Sequence, residues 1–238
     1  MKTLGIIGFG QFSQFITPHL APHFDITVTD KTAIAPPAGI KSGTLAETAA
    51  QDILILATPV QSFDALLPQI APHIPPETLV MDICSVKITA VEAMKKHLPH
   101  HKNIVATHPL FGPQSGKNGI EGLNFILCPI QNNCQNIQCI QKFAEDNLKL
   151  NVTITTAEEH DREMAYVHAL THLIGRTLNT MNIPDTPLQT RSYHHLLELC
   201  NIIGQDTLEL FTAIQIENPY AKDVTTAFVQ ELQRLLPQ

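Results

Sequence analysis

Hydrophobic and polar positions follow two patterns along this chain, and the change between them predicts two regions. Up to residue 155, short apolar runs are separated by segments with helical periodicity. Continuous apolar runs are typical of parallel strands that helices cover on both faces. The predicted strands are 4–7, 25–29, 52–57, 78–82, 103–106, 124–128 and 151–155. We therefore predict an α/β fold with a Rossmann-type dinucleotide-binding domain over residues 1–155.

After residue 155 only helical periodicity continues. Thr156 and Glu159 are spaced as a capping box, which marks the start of a long helix. The predicted helices span about 157–181, 190–204, 206–215 and 221–236, with glycine or proline residues between them. We therefore predict an all-helical second domain over residues 156–238.

A glycine-rich turn connects the first predicted strand to the first predicted helix. Gly8 permits a tight turn, Gly10 lets a pyrophosphate approach the helix N-terminus, and Ser13 replaces the third glycine of the dinucleotide fingerprint. Asp30 ends the second strand about 20 residues beyond Gly10, where a carboxylate can hold the ribose hydroxyls. The predicted cofactor-binding residues are Gly8, Phe9, Gly10, Gln11, Phe12, Asp30 and, at the end of a later strand, Thr58 and Pro59.

One histidine lies between an apolar strand and a stiff loop. His108 follows the run 103–106, and Pro109 restricts it to extended conformations. Pro113 and two glycines give the next segment a fixed, non-repetitive shape. A histidine presented in this way is a candidate general base, although a histidine that only caps a strand fits this stretch equally well.

The segment 85–87 follows the predicted strand 78–82 and opens a helix. Ser85 has a simple structural interpretation as a helix cap. Lys87 opposes the macrodipole of the helix that it precedes, which is a mild indication of function. A solvated lysine is nevertheless its simpler interpretation.

Composition limits the function classes. The chain has 238 residues, with 44% hydrophobic and 16% charged residues and a net charge of −7. This charge argues against nucleic-acid binding, and no apolar run is long enough for a membrane span. Polar residues interrupt the apolar N-terminal segment, so we expect no signal peptide. The five cysteines contain no CxxC pair and indicate reduced thiols in a cytoplasmic protein.

Two histidine groups have the spacing of possible metal ligands, but we predict no metal site. His97, His100 and His101 are interpreted as a solvated face, since no carboxylate or cysteine lies near them in the sequence. His168 and His172 share a helix face but lack the glutamate of an HExxH zinc motif. Buried, hydrogen-bonded histidines and histidines that face an anionic ligand are both favoured over zinc.

Several segments together resemble the prephenate and arogenate dehydrogenases of tyrosine biosynthesis. They are 8–10, 57–59, 82–87 and 108–113 in the first region, and 159–162, 171–176 and 218–221 in the second. Their order over nearly the whole chain is far more specific than any one motif. The chain resembles a short form of the family, for which we expect no fused chorismate mutase and no C-terminal regulatory domain.

The resemblance implies an NAD(P)-dependent oxidoreductase that converts prephenate to 4-hydroxyphenylpyruvate by oxidative decarboxylation. His108 is then the base that takes the hydroxyl proton, since a histidine is readily neutral near pH 7. Ser85 is expected to bond the same hydroxyl or the nicotinamide of the cofactor.

The resemblance also assigns roles to the helical domain. The two substrate carboxylates need cations or hydrogen-bond donors, and the candidates are Thr171, His172 and Arg191. Arg162 and Arg176 are alternatives, and either can instead serve helix packing through its stem. The family further implies a homodimer formed by the helical domain, with the substrate cleft between the two domains.

Two choices remain: NAD or NADP as the cofactor, and prephenate or arogenate as the substrate. Asp30 favours NAD because a carboxylate repels a 2′-phosphate, while the cation of Lys31 leaves NADP possible. Arogenate carries an ammonium that needs an acid, and arogenate-selective relatives can place one just after the strand 124–128. Cys128 occupies that place, and no acid occurs between Leu123 and Asn136, which favours prephenate.

Other activities remain open at this stage. An arogenate dehydrogenase that forms tyrosine directly is the alternative within the family. A β-hydroxyacid dehydrogenase or imine reductase is expected to carry a catalytic lysine on the helical domain, which the helix 157–181 lacks. A nucleotide-binding sensor without chemistry would tolerate the loss of His108.

Overall fold

The computed structural model describes residues 1–130 and 134–237, and its first region is built on one eight-stranded sheet. The strands are β1 (Lys2–Ile7), β2 (Phe24–Thr29), β3 (Lys41–Ser42), β4 (Ile53–Leu56), β5 (Leu79–Asp82), β6 (Ile104–Pro109), β7 (Asn124–Pro129) and β8 (Asn151–Ile154). Their order in the sheet is β3-β2-β1-β4-β5-β6-β7-β8, and β1 to β6 are parallel. The predicted Rossmann-type α/β fold is confirmed.

The last two strands run in the opposite direction. β7 pairs antiparallel with β6, and β8 pairs parallel with β7. In this pairing His108 lies opposite Ile126, and Pro109 lies opposite Phe125. The strand predicted to end at residue 106 therefore continues through Pro109, because β7 supplies the pairing partner. His108 is held by the sheet itself.

Ten α-helices lie in the described part of the chain. They are α1 (Gln11–Leu20), α2 (Leu45–Ala49), α3 (Phe63–Ile70), α4 (Ile88–His97), α5 (Cys134–Asp146), α6 (Ala157–Met164), α7 (Thr171–Thr180), α8 (Arg191–Ile203), α9 (Leu208–Thr212) and α10 (Ala221–Leu235). Two π-helical segments, Ala165–Leu170 and Ala213–Glu217, follow α6 and α9 directly. The predicted all-helical character of the second region is confirmed.

Two helices, α2 and α5, and the short strand β3 are absent from the predicted elements, and α5 is the longest of them. The glutamines and asparagines at 131–135 indicate a linker, and residues 131–133 of that stretch lie outside the described residues. Within α5, Ile140 and Ala144 are buried in the core of the sheet domain, and Ile137 packs against the same core. Their spacing is that of one helix face, which the surrounding amide side chains obscure in the sequence.

The chain divides into two compact units, Met1–Ala157 and Glu158–Gln238, and the predicted boundary between residues 155 and 156 lies close to this division. The first unit has an extended core that includes Leu4, Ile6 and Leu127. The second has a smaller cluster of Ala169, Ile214 and Ala221. In the described ranges, every helix is too short or too polar to cross a membrane.

Candidate active site

The segments predicted to carry chemistry in the first unit lie along one edge of the sheet. β1 leads into Gly8, β2 into Asp30, β4 into Thr58 and β5 into the loop of Ser85, while His108 lies near the end of β6. Parallel strands end at the same edge, and open α/β sheets bind their ligands outside that edge. The sheet therefore places these five residues along one edge.

The glycine turn has the geometry of a dinucleotide site. Gly8 has a φ of +99°, and a Cβ at this position would lie 2.6 Å from the carbonyl oxygen of Ala57. Only glycine fits there without strain. Ser13 donates a hydrogen bond to the carbonyl of Gly8 at 2.6 Å, so the serine secures the turn from within. Beside Gly10 the space that a Cβ would enter is open among the described residues, which leaves room for a phosphate at the N-terminus of α1.

Asp30 is tied to the same turn. Its Oδ2 accepts a hydrogen bond from the backbone N–H of Phe9 at 2.7 Å, and its Oδ1 accepts one from the N–H of Thr32 at 3.0 Å. Burial alone would raise the pKa of Asp30, but the hydrogen bonds from Thr32 and Phe9 outweigh it and the pKa is lowered. The ionised carboxylate is therefore available to ribose hydroxyls.

Aromatic packing connects the glycine turn to the loop after His108. Gln11 begins α1, and the ring of Phe12 lies 6.2 Å from the ring of Phe111. The ring of Phe15, one turn further along α1, lies 6.4 Å from Phe111. These contacts fix the position of the loop relative to the predicted cofactor turn.

The interpretation of Lys87 as a solvated side chain is wrong. The side chains of Lys87 and Asp82 are both fully buried, and they form an ion pair. Lys87 Nζ also donates to the carbonyl of Thr107 at 2.6 Å. Asp82 additionally accepts hydrogen bonds from the N–H of Cys84 at 2.9 Å and of Thr107 at 3.2 Å. The sequence gives only one signal of this network, the poor electrostatic position of Lys87 before α4.

Ser85 lies in the loop between Cys84 and Lys87, which both bond to Asp82, and is partly exposed. Cys84 Sγ lies 3.8 Å from the carbonyl of Thr58, whose hydroxyl accepts from Ser62 at 2.8 Å. Burial, and then the nearby Asp82 carboxylate, raises the pKa of Cys84 well above its ordinary value. Cys84 is therefore a protonated thiol. Pro59, which follows Thr58, is exposed.

Cys128 occupies a buried row of the sheet. Ala106 pairs with Cys128 on one side and with Asp82 on the other, so the three side chains share one face. His108 lies two residues along β6 from Ala106 and faces the same way. Cys128 and His108 are both almost fully buried. The carboxylate in this row, Asp82, is already paired with Lys87.

In the helical unit, the sequence places His172 directly after Thr171 at the start of α7. The ring of His172 lies 4.8 Å from the ring of His168 in an edge-on arrangement. Burial, and then the charge of Arg176, lowers the pKa of His172 to about 4. Burial, and then the neighbouring histidines, lowers the pKa of His168 to about 3. Both side chains are therefore neutral near pH 7, and His172 can act on an anion only as a hydrogen-bond donor.

The three arginine candidates have different surroundings. Arg191 is exposed at the first position of α8. Arg176 donates to the backbone carbonyl of Asp206 at 3.1 Å and lies over the ring of Phe211. Arg162 pairs with a glutamate one helical turn away and stacks on a tyrosine ring. Arg162 and Arg191 are exposed and Arg176 is partly buried, and both Arg162 and Arg176 already contact an acceptor and an aromatic ring.

Two of the segments that carry the resemblance meet in the helical unit. Asn218 is buried and donates from Nδ2 to the backbone carbonyl of Asp161 at 2.7 Å. The buried side chain of His160 lies 2.8 Å from Asp161 Oδ1. Tyr220 reaches Glu158 at 3.1 Å. The segments 159–162 and 218–221 therefore form one structural junction of the fold.

No group of three or more potential metal ligands is present within residues 1–130 and 134–237. The interpretation of the cluster at 97–101 as a solvated face is wrong for two of its histidines. His97 lies 2.6 Å from the carboxylate of Asp64, and His101 bonds the carbonyl of Thr78 at 2.7 Å. The fold thus places hydrogen-bond partners that are distant in sequence next to His97 and His101.

Comparison with protein families gives two matches. The profile described as "Prephenate dehydrogenase, nucleotide-binding domain" matches residues 28–152, which is 125 of the 238 residues. A second profile, "TYRAAT1-like, C-terminal domain", matches residues 177–238.

Curated relatives cover most of this chain but are longer. Arogenate dehydrogenase 2, chloroplastic, from Arabidopsis thaliana is 28% identical and covers 98% of this chain and 66% of its own length. A probable arogenate/prephenate dehydrogenase from Methanocaldococcus jannaschii is 28% identical and covers 77% of this chain and 43% of its own length. The chain therefore spans less than two thirds of these relatives.

Solved structures share the fold. Prephenate dehydrogenase from A. aeolicus, in complex with hydroxyphenyl propionate and NAD+, aligns with a TM-score of 0.74 at 19% identity over 99% of this chain and 89% of that one. Synechocystis arogenate dehydrogenase aligns with a TM-score of 0.68 at 17% identity over 98% and 90%. With the profile match over more than half of the chain, the resemblance seen in the sequence is confirmed: the chain belongs to the prephenate/arogenate dehydrogenase family.

Proposed function

We propose that the protein oxidises prephenate to 4-hydroxyphenylpyruvate and CO2 with a nicotinamide dinucleotide. The observation that carries this proposal is the shared sheet edge. The Gly8 turn and the ionised Asp30 lie on the same edge as the buried His108, so a dinucleotide site and a candidate base adjoin. Family membership supports the same reaction class.

His108 acts as the general base: it takes one proton from the substrate and later returns it. When bound, the nicotinamide accepts the hydride from the hydroxyl-bearing ring carbon. His108 takes the hydroxyl proton as that oxygen becomes a ring carbonyl, and Ser85 donates to the same oxygen. The electrons of the breaking bond to CO2 then restore the aromatic ring, and the proton returns to the oxygen as the phenol forms. The reaction thus releases no net proton.

The helical unit supplies the proposed groups for the substrate carboxylates. Arg191 offers an exposed cation, while Thr171 and the neutral His172 offer hydrogen-bond donors. Arg162 and Arg176 have less capacity for this role, since both guanidinium groups already contact an acceptor and an aromatic ring.

We expect the enzyme to prefer prephenate to arogenate. The row of Cys128 contains one carboxylate, and Lys87 already neutralises it, so an ammonium there would be buried without a partner. The test is NADH formation with both substrates in parallel, compared as kcat/KM. Absence of turnover with both substrates would refute the proposed function, and a preference for arogenate would refute only the substrate choice.

The variant Cys128→Asp is expected to raise the use of arogenate relative to prephenate. Cys128→Asn is the matched control, because it has nearly the same shape without the charge. Urea unfolding of both variants establishes that each is folded. An unchanged substrate ratio in a folded Cys128→Asp protein would show that this row does not face the substrate side chain.

We also expect NAD to be preferred to NADP. A 2′-phosphate would face the ionised Asp30, which the hydrogen bonds from Phe9 and Thr32 hold in place. The measurement is kcat/KM with NAD and with NADP, in wild type and in Asp30→Asn. The substitution should reduce the ratio of the NAD value to the NADP value. The cation of the adjacent Lys31 could instead hold a 2′-phosphate. A higher kcat/KM with NADP than with NAD in wild type would contradict the prediction.

We further propose that the helical unit forms a homodimer. It exposes several large apolar side chains, a pattern typical of protein interfaces. They include Leu196, Ile202, Leu208, Val229, Leu232 and Leu235. Light scattering should give twice the 26.3 kDa of one chain, and Leu232→Glu should reduce the dimer fraction, whereas Gln233→Glu on the same helix should not. A monomeric wild type would contradict this proposal.

A further inference from the structure

The ion pair between Asp82 and Lys87 has no exposed surface and lies at the end of β5, between the strands that carry Thr58 and His108. A buried ion pair is a weak source of stability, because the cost of removing two charges from water offsets most of their attraction. Apolar residues of similar volume would serve packing as well. The contacts of this pair indicate another role.

One carboxylate holds both ends of the loop that carries Ser85. Asp82 Oδ2 accepts from the N–H of Cys84 at 2.9 Å on one side of Ser85 and from Lys87 Nζ on the other. The residues before and after Ser85 in this loop are therefore anchored to the same group. A hydroxyl on such a loop has little freedom to move.

The same pair fixes the backbone that leads to His108. Lys87 Nζ donates to the carbonyl of Thr107 at 2.6 Å, and Asp82 accepts from the N–H of Thr107 at 3.2 Å. The Thr107 hydroxyl also donates to the backbone carbonyl of Asp82. Because the Thr107 carbonyl belongs to the peptide that joins it to His108, Lys87 sets the plane of that peptide. Pro109 restricts His108 from the other side.

We propose that Lys87, paired with Asp82, is a positioning residue that sets the geometry of His108 and Ser85 relative to each other. This inference rests on the proposed function, in which His108 is the base. Lys87 contacts neither substrate nor cofactor in this role and acts only through the peptide at Thr107 and the loop at Ser85. Small displacements of a catalytic group can cost about a hundredfold in rate.

The test is a double-mutant cycle between Lys87 and His108. Lys87→Met should lower kcat by about tenfold to a hundredfold while KM for the cofactor changes little. In a His108→Asn background the same substitution should cause almost no further loss, because there is no base left to position. Lys95→Met, at an exposed lysine of α4, the helix that Lys87 precedes, is the control and should leave kcat unchanged.

Each outcome decides the matter. Equal losses in both backgrounds, or a loss confined to KM, would overturn the positioning role while leaving His108 as the base. Near-normal turnover in His108→Asn alone would overturn the proposed base and this inference with it. If Lys87→Met does not fold, the double variant Asp82→Asn/Lys87→Met, which removes both charges, replaces it in the cycle with His108→Asn. The expected losses of kcat are the same.

Discussion

Replacement of His108 by asparagine is expected to lower kcat by about two to four orders of magnitude, the usual contribution of a general base. Asparagine keeps much of the volume and hydrogen-bonding capacity of histidine but cannot take a proton near pH 7. His108 is almost fully buried within β6, so the substitution removes the base without opening the site to solvent.

The measurement is steady-state NADH formation, with cofactor binding followed separately. Cofactor affinity should barely change, because the Gly8 turn and Asp30 form their contacts independently of His108. His100→Asn, an exposed histidine in the same unit, is the control for the loss of a histidine as such. A His108→Asn enzyme with near-normal turnover would show that another group takes the proton.

The sheet and the cofactor turn could be predicted because their signals are local. Gly8 and Gly10 follow an apolar run and precede a helix, and Asp30 ends the next strand, so the residue types and their spacing define the motif. The structure adds details such as Ser13 bonding back to Gly8. These details depend on the same short segment.

The surroundings of Lys87 could not be predicted because its partners are brought together by the sheet. Asp82 precedes it on β5, but Thr107 belongs to β6, and only the folded sheet brings both groups to Lys87 and buries them. His97 shows the same limit, since Asp64 comes from another helix. Local spacing indicated exposure in both cases, and tertiary packing decided otherwise.

The end of β6 is a third example. Pro109 and the glycines beyond it indicate a loop, yet the strand continues to Pro109 because β7 pairs with it in the reverse direction. A change of strand direction within a mostly parallel sheet has no local signature. His108 is therefore more rigidly held than its sequence suggests.

Acid is expected to destabilise the helical unit through His168 and His172. Their pKa values are about 3 and about 4 in the folded protein, whereas an unfolded histidine titrates near 6.5. Between these values the unfolded chain binds more protons, so stability is present above about pH 6.5 and is lost as the pH falls. At pH 5 each histidine should lower the free energy of unfolding by about 2 kcal/mol.

The measurement is urea unfolding followed by circular dichroism at pH 7 and at pH 5. His168→Leu/His172→Leu removes both groups, so its loss of stability between the two pH values should be smaller than that of wild type by about 4 kcal/mol. Carboxylates that do not contact these histidines contribute equally to both proteins and cancel in this difference, whereas Asp206, whose carboxylate lies 3.7 Å from His172, adds a change of its own in the leucine variant. His194→Gln/His195→Gln is the matched control, since both side chains are more than half exposed on α8. An equal loss in wild type and in the double leucine variant would mean that the two buried histidines take up protons as readily as exposed ones.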